Sequence, residues 1–143
     1  MGEHFAELLA GQDVDVTLAA RRVARLSELS AKIAAEGGQA DVIEMDVADP
    51  KSVEAALKGR VFDTVINNAG TTASLPALEH GPAEIDAIID TNLKGAFHVA
   101  RIAAKAMIDA GRGGCIVNVA SFLGTRVASH VSAYAASKEG LIQ

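Results

Sequence analysis

Asp63-Thr64-Val65-Ile66-Asn67-Asn68-Ala69-Gly70 is the stretch that decides the fold. A short β-branched run, Asp63–Asn67, reads as a strand, and it closes on small residues that let a ligand or another backbone approach. A tight turn is the other reading of Asn67–Gly70. Upstream, Val14–Ala19 and Asp41–Met45 read as strands, and downstream Cys115–Ala120 reads as a buried one. Helical periodicity fills the intervals. Phe5, Leu8 and Leu9 mark one face of an opening helix, and Leu26, Leu29 and Ile33 one face of Val23–Ala35, which Gly37-Gly38 stops. Asp49-Pro50 starts a further helix, because Asp accepts free amides while Pro at the first position loses no needed donor. Pro82–Ala110 reads as one long helix or two abutting ones, and Val131–Gln143 as a last helix. Strands separated by helices imply parallel crossovers and a doubly wound three-layer α/β/α sheet, here one domain over residues 1–143. Ligands bind beyond the carboxyl ends of such strands, where Arg21, Asp46, Asn68-Ala69-Gly70 and Ser121 fall.

Composition narrows the classes. Half of the 143 residues are apolar, so a core is possible. A net charge of −5 argues against a nucleic-acid surface. The single cysteine, Cys115, excludes a disulfide within the chain and fits a reducing, cytoplasmic setting. The uncharged stretches Thr64–Leu78 and Gly113–Thr125 contain polar residues and fall short of the roughly 20 apolar residues of a membrane helix. No spacing suggests a metal site, and none is expected.

Tyr134-Ala135-Ala136-Ser137-Lys138 places a phenol and an ammonium four residues apart, on one face of a helix. A free phenol titrates near 10, and a neighbouring cation favours its ionised form. An ordinary surface helix also produces this spacing often. Ser121, directly after a strand, can hold a carbonyl oxygen, or else cap a turn. Asn92 stands in apolar helical sequence, where a buried amide must find partners; a structural polar bridge rivals a catalytic role.

Order and spacing together resemble the classical short-chain dehydrogenase/reductase family: Asp46-Val47 after a strand, Asn67-Asn68-Ala69-Gly70, Asn92, Ser121, and Tyr134-x-x-x-Lys138. The resemblance implies a Rossmann-like fold and an NAD(P)-dependent oxidoreductase acting on a small-molecule alcohol or carbonyl. It implies Tyr134 as general acid/base, Lys138 lowering the tyrosine's pKa and binding the nicotinamide ribose, Ser121 polarising the carbonyl, and Asn92 supporting a water-linked proton path to Lys138. Asp46 and Val47 would flank the adenine, and Asn68, Ala69 and Gly70 would line the nucleotide cleft. A homodimer or homotetramer is implied for the intact protein.

Ala20 holds the place where NAD-preferring members usually carry Asp, and Arg21 follows at once, so NADP(H) is expected over NAD(H). The rival reading has Arg21 and Arg22 simply solvating a loop. The family's Thr-Gly-x-x-x-Gly-x-Gly turn is represented only by Met1-Gly2-Glu3-His4-Phe5-Ala6, with Gly2 matching its last glycine. The expectation is a piece cut at both ends, lacking the central first strand of the order 3-2-1-4-5-6 and therefore unstable or inactive alone. Two further classes compete: a non-catalytic nucleotide-binding fragment, and an epimerase or dehydratase of nucleotide sugars.

Overall fold

The computed structural model describes residues 1–12 and 14–143, which form two compact units, Met1–Asp46 and Val47–Gln143. In the first, α1 (Gly2–Ala10), β1 (Val16–Ala20), α2 (Val23–Ala35) and β2 (Ala40–Glu44) alternate. β1 and β2 pair in parallel, Val16 opposite Ala40 and Ala20 opposite Glu44. Both strands lie one or two residues from the expected bounds, because the ladder rather than the apolar run sets where pairing starts.

The core of this unit is Ala6, Ala10, Leu18, Leu26, Leu29 and Ile33. The α2 face is the expected one. The α1 face is not: Leu8 is exposed, Phe5 and Leu9 are half-buried, and Ala6 and Ala10 carry the contact. Close packing accounts for this. A Cβ on Gly38 would stand 3.0 Å from the Ala10 Cβ and 2.9 Å from Ile33 Cγ2, so only small residues fit where the chain passes.

In the second unit, α3 (Pro50–Leu57) begins at Asp49, whose carboxylate accepts from the Lys51 amide at 2.9 Å. β3 (Thr64–Asn67) pairs in parallel with β4 (Cys115–Asn118). Pro82 to Asp109 is three segments: α4 (Pro82–Ile89), a π-helical turn (Asp90–Gly95) and α5 (Ala96–Asp109). The π turn rotates Asn92 and Gly95 inward, a feature frequent at functional positions. A Cβ on Gly95 would meet the side chain and carbonyl of Val47 at about 2.9 Å, so glycine is what lets Val47 seat there. The last helix is α6 (Ser132–Ile142).

β4 corrects an expectation. It ends at Asn118 rather than Ala120, and Cys115, Val117 and Asn118 are exposed. An apolar run is buried only where something covers it, and among the described residues β4 has one strand neighbour, β3. Among the described residues the strands form two separate two-stranded parallel sheets, β1-β2 and β3-β4. In the order 3-2-1-4-5-6, strands 2 and 3 and strands 4 and 5 are neighbouring pairs of this kind. Among the described residues no helix is long and apolar enough to cross a membrane.

Candidate active site

The second unit gathers its polar buried residues where β3, the π turn and α6 meet. Asn67, at the end of β3, donates through Nδ2 to the Ala96 carbonyl (3.1 Å) and to Asn118 Oδ1 (2.9 Å), tying the strand end to α5 and β4. The chain then runs through Asn68, Ala69 and Gly70 to Thr71. The Asn68 Oδ1 atom is buried and accepts no hydrogen bond from the described residues.

Asn92 has no solvent exposure. Its Oδ1 accepts from the Thr71 amide at 2.7 Å, and its Nδ2 donates to the Thr71 carbonyl at 2.9 Å and to Ser137 Oγ at 3.0 Å. The buried amide thus finds partners, as its position demands. The structure also gives Asn92 a bridging role between the segment after β3 and α6.

Tyr134 and Lys138 lie on one face of α6, with Lys138 Nζ 5.9 Å from the centroid of the phenol ring. Tyr134 is half-buried, whereas Lys138 is 5 % exposed. Nζ donates to the Val119 carbonyl at 2.6 Å. Burial pushes the Lys138 ammonium below the ordinary lysine value. A Cβ on Gly70 would stand 3.4 Å from Asn92 Oδ1 and 3.8 Å from Lys138 Nζ, so both polar atoms face the same point.

The lowered Lys138 value carries a stability prediction. Its folded-state value lies below the unfolded one, so between them the unfolded chain holds more protons and stability rises with pH. The gain is complete only above the ordinary value of 10.5. Urea denaturation of the protein and of Lys138→Met between about pH 7 and about pH 10 checks it. The wild type should gain on the variant as pH rises; parallel curves would contradict the burial of a charged ammonium.

Ser121 precedes a short 3₁₀ turn (Phe122–Gly124), and its Oγ accepts from the Leu123 amide at 3.2 Å. It is the turn cap that sequence reasoning weighed, and its hydroxyl proton remains free to donate elsewhere. Gly124 lays this turn on α6: a Cβ there would come within 2.9 Å of the Lys138 carbonyl carbon and oxygen. Leu75 donates its amide to the His130 carbonyl at 2.9 Å, joining the segments after β3 and after Ser121. His130 holds a φ of 66°, a left-handed conformation uncommon outside glycine.

Leu123 and Val127 line an open cleft with Ala135, Ala136 and Glu139, residues of α6 that do not share the face of Tyr134 and Lys138.

In the first unit, Gly2 opens α1, and Arg21 reaches Asp46 at 3.9 Å, both side chains partly exposed. Sequence reasoning missed Ser137, Gly124 and the Val119 carbonyl.

The pattern of the short chain dehydrogenase family matches residues 1–143. The chain belongs to that family. It is 33 % identical over 149 aligned positions to an indene-carboxyl-CoA reductase of Mycobacterium tuberculosis, covering 99 % of this chain and 56 % of the relative. It is 30 % identical to galactitol 2-dehydrogenase of Agrobacterium fabrum, with 99 % and 56 % covered. Among solved structures, a metagenomic short-chain oxidoreductase in complex with NADP superposes with a TM-score of 0.90 at 35 % identity, covering 99 % of this chain and 66 % of that one. The likeness shows a Rossmann-like α/β fold. The chain spans about half the length of the curated relatives it matches.

Proposed function

We propose that this short-chain dehydrogenase is an oxidoreductase interconverting an alcohol and a carbonyl compound with a nicotinamide cofactor, NADP(H) in preference to NAD(H). The observation that carries the reading is Lys138: a lysine buried to 5 % exposure, its ammonium held 2.6 Å from a backbone carbonyl and 5.9 Å from the only phenol ring of the chain. Burying an ammonium costs several kcal/mol unless its protons find acceptors, and one protein acceptor leaves two donors to give.

The residues fit the cofactor. The Lys138 ammonium suits ribose hydroxyls, the buried Asn68 Oδ1 is an acceptor without a partner among the described residues, and Gly70 leaves room for close approach. Lys138 and Tyr134 would hold the ribose, Asn68, Ala69 and Gly70 the nucleotide cleft, and Asp46 and Val47 the adenine. Gly2 would stand at the pyrophosphate end of α1, where helix amides favour an anion. On this reading the two compact units are parts of one dinucleotide-binding domain. When bound, the cofactor supplies or accepts hydride.

The side chains do the rest. Tyr134 gives its phenol proton to the carbonyl oxygen in reduction and takes it back in oxidation. Lys138 favours the ionised phenol by its positive charge. Ser121 donates its free hydroxyl proton to the same oxygen. Asn92 would support a water-linked proton path to Lys138, along which the proton of Tyr134 is replaced. A cytoplasmic setting and a homodimer or homotetramer belong to the same proposal, and exposed Phe97 and Ile108 on α5 offer an apolar surface for the latter.

Arg21, which lies 3.9 Å from Asp46, would meet a 2′-phosphate with a charge-assisted bond. Arg21→Ala should weaken NADPH binding about tenfold and leave NADH nearly unchanged. Calorimetric titration with both cofactors checks it, and an unchanged NADPH/NADH ratio contradicts the preference. The reaction itself is tested on the protein as its gene encodes it, with NADPH and a panel of small ketones and aldehydes. Turnover supports the reading, whereas binding without turnover would favour a non-catalytic nucleotide-binding protein.

A further inference from the structure

Ser137 has no solvent exposure and lies between Tyr134 and Lys138 in the chain, and its hydroxyl bonds to both Tyr134 and Asn92. Its hydroxyl donates to the Tyr134 carbonyl at 2.7 Å, a bond back to the preceding helical turn. With its one proton committed there, Oγ can only accept from its other neighbour, Asn92 Nδ2, at 3.0 Å. That fixes which way the Asn92 amide faces. Turned over, Asn92 would set an oxygen against the Ser137 lone pairs and the Thr71 carbonyl, and a donor against the Thr71 amide.

We propose that Ser137 is a positioning residue: it locks the Asn92 amide to α6 at the carbonyl of Tyr134, so that Asn92 Oδ1 is presented to the side shared by Gly70 and Lys138. Thr71 alone is a weaker anchor, because it is exposed and lies in a loop, whereas Ser137 sits in the helix that carries the reacting phenol. Without the Ser137 hydroxyl, the buried Asn92 Nδ2 loses an acceptor that water cannot replace, and the amide relaxes at the expense of its bonds to Thr71. The catalytic meaning of this lock rests on the proposed oxidoreductase reading; the lock itself does not.

The test is amide hydrogen exchange by NMR on the protein and on Ser137→Ala, with and without NADPH. The Thr71 amide should exchange roughly fivefold faster in the variant. The Val99 amide, inside α5, reports global opening and should change much less. Ser137→Cys, which keeps a weak donor and acceptor, should restore part of the Thr71 protection. Where turnover is measurable, Ser137→Ala should lower kcat several-fold at unchanged KM. An unaltered Thr71 amide, or equal acceleration at Thr71 and Val99, would overturn the proposal. Should Ser137→Ala fail to fold, the same comparison in Ser137→Cys decides. A wild type that binds cofactor but turns nothing over would sink the oxidoreductase reading while leaving the exchange result to judge Ser137.

Discussion

Tyr134→Phe should keep the fold and nucleotide binding and lose turnover by about 10²–10⁴-fold, the range that general acid–base catalysis contributes. The substitution removes one hydroxyl from a half-buried ring and leaves the Tyr134 carbonyl, the acceptor of the Ser137 bond, in place. Lys138 keeps its bond to the Val119 carbonyl, so the ammonium stays seated. Steady-state rates with calorimetric cofactor affinities separate the two effects. A rate within a few-fold of the wild type would mean that some other group delivers the proton.

Gly70→Ala should slow turnover by about 10²-fold, at the low end of the same range, with thermal stability nearly unchanged. Gly70 does not need a left-handed backbone, and an added Cβ would meet Asn92 Oδ1 at 3.4 Å and Lys138 Nζ at 3.8 Å, which are ordinary contacts. The methyl group fits, yet it occupies the point that both polar atoms face. Gly124→Ala makes the informative contrast. There the Cβ would come within 2.9 Å of the Lys138 backbone, so the turn or α6 must move and stability itself should fall, by the roughly 1–3 kcal/mol typical of overpacking. Paired melting curves and rates check both. A Gly70→Ala protein as fast as the wild type would contradict a nucleotide cleft that needs the space beside Gly70.

Local chemistry made much of this legible in the sequence. The α2 stripe of Leu26, Leu29 and Ile33 and the Asp49-Pro50 helix start follow from periodicity and capping, and both stand in the structure. Asn92 could be marked because an amide in apolar helical sequence must be satisfied, although its actual partners, Thr71 and Ser137, are distant in the chain. What the sequence hid depends on contact. The α1 face went to Ala6 and Ala10 because close approach outweighed side-chain hydrophobicity. β4 carries a run that reads as buried, but exposure follows from which strands lie beside it. The Lys138 acceptor is a backbone carbonyl, which has no sequence signature. Ser137 had one, because a serine three residues after Tyr134 in a helix can bond back to its carbonyl; the acceptor role toward Asn92 had none.

The most direct measurement follows the transferred hydrogen. NADPH carrying deuterium at both positions of nicotinamide C4 is incubated with the protein and a ketone or aldehyde that it reduces, and the alcohol is analysed by mass spectrometry and NMR. Deuterium is expected on the carbinol carbon in the wild type, with formation of the labelled alcohol all but abolished in Tyr134→Phe. An alcohol without label on that carbon, or no NADPH-dependent reduction of any carbonyl compound, would contradict the oxidoreductase reading.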